Sequence, residues 1–92
     1  MERAARKVAG FDQATEPGDF WLSEPGPVRR LTFLCPCGCG AVGAIQVGAE
    51  VTTGIWKWDG NEEKPSVYPS VQFLNDCQWH GFLMAGIFKS CG

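Results

Sequence analysis

In Arg30–Leu34, RLTFL, apolar Leu31 and Phe33 alternate with polar neighbours, so an extended chain there has one apolar and one polar face. After a short cysteine-glycine stretch, AVGAIQV (41–47) is again strand-like, which makes a strand, a knuckle and a returning strand. GIWKW (54–58) puts Trp56 and Trp58 on one side and Lys57 on the other. Asp59-Gly60, extended by Asn61, is a strong short turn signal. VQFLN (71–75) is a further short strand, and GFLMAGIFKSC (81–91) reads as two strands joined near Ala85-Gly86. EEKPSVYPS (62–70) carries Pro65 and Pro69, which donate no ladder hydrogen bonds, so it is not expected to form a central strand. No segment shows a convincing amphipathic helical period. The predicted fold is all-β, built of short antiparallel strands.

Residues 1–28 follow a different pattern. Gly10, Gly18, Gly26, Pro17, Pro25 and Pro27 interrupt any periodicity there. This stretch is expected to be an extended or partly disordered arm, ahead of a β domain over 29–92. Phe20, Trp21 and Leu22 are too apolar to stay in water and should anchor the arm. Residues 1–19 lack an apolar period and are expected to add little to the fold.

Composition narrows the function classes. A chain of 92 residues is one domain, and at this size it hides only roughly 60–65% of its unfolded surface, so a crosslink or metal would help it. The net charge of −2 argues against a general electrostatic grip on nucleic acid. Such binding would need Arg29, Arg30, Lys57, Lys64 and Lys89 to gather on one face. No apolar run is long enough to span a membrane, and MERAARKVAGFDQ has no apolar core of a secretory signal. A cytoplasmic location is therefore expected, where disulfides are rare and clustered cysteines more often hold metal. The five cysteines would also leave one unpaired in a disulfide framework.

Those cysteines fall into groups: Cys35, Cys37 and Cys39, then Cys77 with His80, then Cys91. Cys77-x-x-His80 has a zinc half-site spacing, and a glycine-rich knuckle lets backbone amides approach thiolates. Zinc takes four nitrogen or sulfur ligands in a tetrahedron, and six candidates are present. Three ligands from one Cys-x-Cys-x-Cys run would crowd a tetrahedron that also takes remote ligands. Two from the loop and two from the C-terminal half is the economical arrangement. Cys37 and Cys39, each followed by glycine, suit it better than Cys35, with the remote pair drawn from Cys77, His80 and Cys91. Three cysteines in five positions between proline and glycine make a poor core, and the Cys-x-x-Cys of thioredoxin-like proteins is absent. The cysteine loop is thus expected to bind Zn2+ in a closed structural site.

CPCGCG, WKWDGNEEKPSVYPSV and CQWHGFLMAGIFKSC together resemble a family of small uncharacterised zinc-binding proteins frequent in bacteriophages and prophages, often mislabelled ammonia monooxygenase. The match covers residues 31–91. The resemblance implies a zinc-stapled fold with a zinc-ribbon-like knuckle and, by position, Cys37, Cys39, Cys77 and Cys91 as ligands. His80 matches a Cys-x-Trp-His-Gly variant and, with Cys35, is an alternate ligand. The resemblance also implies phage origin, and hence a host-cell cytoplasmic location. The monooxygenase label has no support in the residues, since a copper or di-iron oxygenase needs several histidine or carboxylate ligands and the chain has one histidine.

Trp56, Trp58 and Trp79 with Tyr68 could stack bases, but aromatics on the strands of a small β domain mostly fill its core. Trp21, Trp56 and Trp58 are kept as candidate binding residues. Asp59, Glu62 and Glu63 surround a turn and are expected to solvate it rather than to do acid-base work. No catalytic constellation, such as a Ser-His-Asp set, is recognised from sequence. The first functional expectation is a non-enzymatic, zinc-stabilised module that binds and modulates a host or phage protein. A zinc-ribbon-like nucleic-acid binder comes second, a zinc hydrolase third, and oligomeric state is open.

Overall fold

A computed structural model describes residues 2–49, 54–72 and 79–90. Among the described residues, nine strands run in chain order as β1 (Glu2–Ala4), β2 (Arg6–Lys7), β3 (Asp19–Leu22), β4 (Val28–Leu34), β5 (Val42–Gly48), β6 (Ile55–Trp58), β7 (Val67–Gln72), β8 (His80–Met84) and β9 (Ile87–Ser90). Among the described residues the only helical piece is a single 3-10 turn at Phe11–Gln13, and no helix is long and apolar enough to cross a membrane. The all-β expectation holds.

The strands form one sheet in the order β1-β9-β8-β7-β6-β5-β4-β3-β2. Pairing is antiparallel except between β2 and β3 and between β5 and β6. The two outermost strands, β1 and β2, are consecutive in the chain and separated by Ala5 alone. Residues 2–8 therefore strap one edge of the sheet to the other and curl it into a near-barrel. Ala5 N–H donates to Gly86 O at 2.8 Å on one side; Arg6 N–H donates to Gly18 O at 3.2 Å and Val8 N–H to Phe20 O at 2.9 Å on the other. This strap corrects the small role expected of residues 1–19. Its contribution is backbone hydrogen bonding, which hydrophobic periodicity does not register.

Inside lie Leu31 and Phe33 of β4, the alternating pair read from sequence, together with Ile45 and Val47 of β5, Leu83 of β8 and Phe88 of β9. Phe33 and Phe88 stack with ring centroids 5.3 Å apart. Phe20 and Leu22 of β3 are buried among them, so the apolar triplet does anchor its segment. Trp56 and Trp58 pack against the same core from β6, while Lys57 points out. The β8–β9 turn is Ala85-Gly86, with φ of 51° and 75°, the doubly left-handed geometry that a two-residue hairpin favours.

One strand differs from expectation. β7 includes Pro69 and lies in the middle of the sheet, between β6 and β8. Val67 pairs with Leu83 and Val71 with Gly81, so Tyr68, Pro69 and Ser70 together face the single residue Phe82. This bulge removes the ladder position at which a proline would be missed.

Candidate functional site

The bulge in β7 has a chemical consequence. Val67 and Val71 remain in the core, alternation leaves Ser70 on the outer side, half-buried, and the extra residues set its register against β8. Across the pair, β8 alternates with Gly81 and Leu83 inward and His80 and Phe82 outward. Ser70 and His80 thus share a face in diagonal register, and Ser70 Oγ lies 2.9 Å from His80 Nε2. A serine hydroxyl within hydrogen-bond reach of an imidazole nitrogen is the nucleophile-base contact of covalent hydrolases. Imidazole suits the base role because a ring nitrogen can take the hydroxyl proton and return it. From β6, the Trp56 indole N–H donates to Ser70 O at 3.1 Å and ties the serine's own backbone to the neighbouring strand.

The second chemical cluster is the β4–β5 loop. Cys35 N–H donates to Ala41 O at 2.8 Å and Gly38 N–H to Cys35 O at 3.1 Å, which closes the loop into a tight knuckle. Gly38 and Gly40, at φ of 91° and 85°, supply the left-handed turns it needs. Arg3 Nε donates to Pro36 O at 3.2 Å, which fastens the knuckle to β1. The three sulfurs of Cys35, Cys37 and Cys39 lie within 4.8 Å of one another, with Cys35 Sγ and Cys37 Sγ 3.2 Å apart. That is beyond a disulfide bond of about 2.05 Å. It is close to the ~3.8 Å edge of a tetrahedron whose metal-sulfur bonds are about 2.3 Å. The three cysteines form a group that could hold a metal ion. The structure thereby brings Cys35 together with Cys37 and Cys39, a convergence that spacing alone argued against.

Residues 7–91 match the model of the BubE family, described as bacterial ubiquitination-like system serine protease. The chain belongs to this family. No curated protein and no solved structure gave a match. The BubE description names a bacterial system and a serine protease, and names neither the phage origin nor the zinc that the resemblance in the sequence implied.

Within this BubE-family chain, the other expected site residues that the structure describes are dispersed. Cys77 and Cys91 lie outside the described residues. His80 is not part of the three-cysteine group; its Nε2 meets Ser70. Trp58 donates to Asn61 O at 3.1 Å, and Arg29 covers its ring at 5.5 Å from the centroid. Trp79 is buried edge-on against Phe88, its N–H on Ser90 Oγ at 2.9 Å. Trp21 is half-buried and lines a shallow cleft with Ser23, Val28, Arg29, Arg30 and Gln46. These tryptophans do not form one stacking platform.

The acidic residues near the turn serve structure. Asp59 Oδ1 accepts from Asn61 N–H and Ser66 N–H at 3.1 and 3.2 Å. Glu62 pairs with Lys7 at 3.1 Å and with Arg29 at 3.3 Å, and the Lys7 ammonium, ahead of Arg29, holds its carboxyl below the usual carboxylate range. Arg29 is itself buried, with its guanidinium on Ser23 O at 2.6 and 2.9 Å, which withdraws it from any basic surface.

Sequence reasoning missed the Ser70–His80 pair of this BubE-family chain. Pro-Ser at 69–70 carries no hydrolase signature and the local spacing of His80 pointed to zinc, so the two meet only through strand register. No signal in the sequence brought them together, since Ser70 closes a segment not expected to be a central strand and His80 only precedes the strand-like stretch 81–91.

Proposed function

We propose that this chain is the serine protease component of a bacterial ubiquitination-like system, with Ser70 as nucleophile and His80 as general base. The observation that carries the reading is the 2.9 Å contact of Ser70 Oγ with His80 Nε2 on the outer face of the sheet, at a bulge. The family description supplies the reaction class and the system. Ser70 Oγ attacks the carbonyl carbon of the scissile amide while its proton passes to His80 Nε2. The amine then leaves with that proton, which breaks the C–N bond and leaves an ester on Ser70. His80 takes a proton from a water molecule, whose oxygen attacks the ester carbonyl. The acid departs and Ser70 Oγ recovers its proton from His80.

In the same reading the cysteine knuckle is structural. Cys35, Cys37 and Cys39 would hold Zn2+ through three thiolates, a donor set that suits zinc. Zinc there would crosslink the β4–β5 loop and supply folding free energy rather than chemistry.

A second reading is the non-enzymatic one: a zinc-stabilised module that binds a host protein, with the serine-histidine contact serving only to join β7 to β8. The three-cysteine group favours it, and a single experiment separates the two. Purified protein is treated with a fluorophosphonate probe, which forms a covalent bond only with an activated serine, and the modified residue is located by mass spectrometry. Labelling is expected at Ser70, absent in Ser70→Ala, and reduced at least about a hundredfold in rate in His80→Gln, the scale of a lost general base. An unlabelled wild-type protein would leave the binding module as the better account.

A further inference from the structure

The face that carries Ser70 and His80 also carries a row of four exposed side chains across four neighbouring strands. Lys57 of β6 pairs with Tyr68 of β7. Tyr68, in the bulge, faces Phe82 of β8, and Phe82 pairs with Lys89 of β9. All four are exposed, and Tyr68 at 47% and Phe82 at 36% are among the few large apolar side chains left in water. A cation, two aromatic rings and a second cation therefore stand in line. Ser70 shares the bulge with Tyr68, and His80 lies two residues from Phe82.

Exposed apolar side chains are ordinary singly. These two are adjacent, beside a nucleophile-base pair, and bracketed by like charges. Among the described residues the ion pairs use Arg6, Lys7 and Arg29, so neither lysine of the row is neutralised by one. Glu2 stands opposite Lys89 on β1 but makes no ion pair with it. Adjacent strands lie about 4.8 Å apart, so the row spans roughly 14 Å, the length of about four residues of extended peptide.

We infer that this row selects the substrate: an extended peptide segment with apolar side chains at its centre and a carboxylate at each end. The apolar residues lie on Tyr68 and Phe82, the carboxylates meet Lys57 and Lys89, and the backbone crosses the strands beside Ser70. This inference rests on the protease reading above, and it names the substrate class of that same site.

The test uses the full chain and two quenched fluorescent peptides with the same Leu-Leu centre, one flanked by glutamates and the other by lysines. Wild-type protein should cleave the glutamate-flanked peptide with kcat/KM higher by about tenfold, the scale of two exposed charge pairs and two repulsions. The K57E/K89E double variant should invert that preference, an outcome that itself requires a folded enzyme. Should the double reversal be inactive on both peptides, K57Q/K89Q serves instead and should cleave the two equally; a preference retained there overturns the inference. Protein that is labelled at Ser70 but cleaves both peptides equally, or neither, overturns the substrate assignment and leaves the protease reading standing. Protein that is neither labelled nor active removes the reading and the inference with it. Retention of a single-stranded oligonucleotide that is lost in K57E/K89E, without peptide preference, would give the row to nucleic acid and overturn the proposal.

Discussion

Asp19 is almost fully buried at 1% exposure, yet its carboxylate is fully engaged. It accepts four hydrogen bonds: from Arg6 Nε at 2.9 Å, from the second Arg6 nitrogen at 2.6 Å, and from the backbone N–H groups of Thr15 and Glu16 at 2.9 and 3.0 Å. The Arg6 hydrogen bonds, with help from the two amides and against the cost of burial, hold its carboxyl well below the usual carboxylate range. A depressed folded pKa means that the folded state resists taking up a proton which the unfolded chain accepts near pH 3.9. The stabilisation is fully present above about pH 5 and is lost as pH falls through the depressed folded value. Asp19→Asn keeps the shape and removes the charge, and should cost roughly 2–3 kcal/mol at neutral pH. Thermal melts from pH 7 to pH 3 check both parts, because the gap between wild type and variant should narrow toward the acid end. A gap that stays constant with pH would assign the loss to packing instead of charge.

At the scale of elements, the β4–β5 knuckle gives the next expectation. Protein purified without chelator should carry close to one zinc per chain by elemental analysis, and Cys37→Ser should lose most of it. The domain should then melt at clearly lower temperature, since structural zinc contributes on the order of 10 kcal/mol in small zinc-binding peptides. Metal-free protein with an unchanged melt would exclude zinc from the fold. The elements differ in how legible they were. β4, β5, β6 and the β8–β9 hairpin could be read because alternation and turn chemistry are local, as in Leu31, Phe33, Trp56, Trp58 and Ala85-Gly86. β7 was misjudged because the proline rule assumes a regular ladder, and the bulge at Tyr68-Pro69-Ser70 removes the demand for Pro69's missing N–H. The cysteine loop was legible as a metal candidate from residue type, but which sulfurs converge depends on left-handed turns at Gly38 and Gly40. The serine-histidine pair was not legible at all, because it exists only once two strands are in register.

For the whole molecule, the decisive feature is closure. Without residues 2–7, the edges of β9 and β3 would present unpaired backbone groups to solvent. Deleting residues 1–7 should lower the melting temperature by about 10 °C or more, from several lost hydrogen bonds at about 1 kcal/mol each in a domain this small. It should also promote self-association, visible by light scattering. An unchanged melt in a monodisperse sample would mean that the strap carries no stability. The same closure sets an order of events during synthesis. β1 leaves the ribosome before the other described strands, yet its hydrogen-bonding neighbour is β9, the furthest along the described chain. Contacts so distant in sequence form slowly, because a long loop must close before any bond rewards it. A segment made before its partner is therefore a late one to be secured, and the nascent chain carries an unpaired strand for as long as β9 is still inside the ribosome.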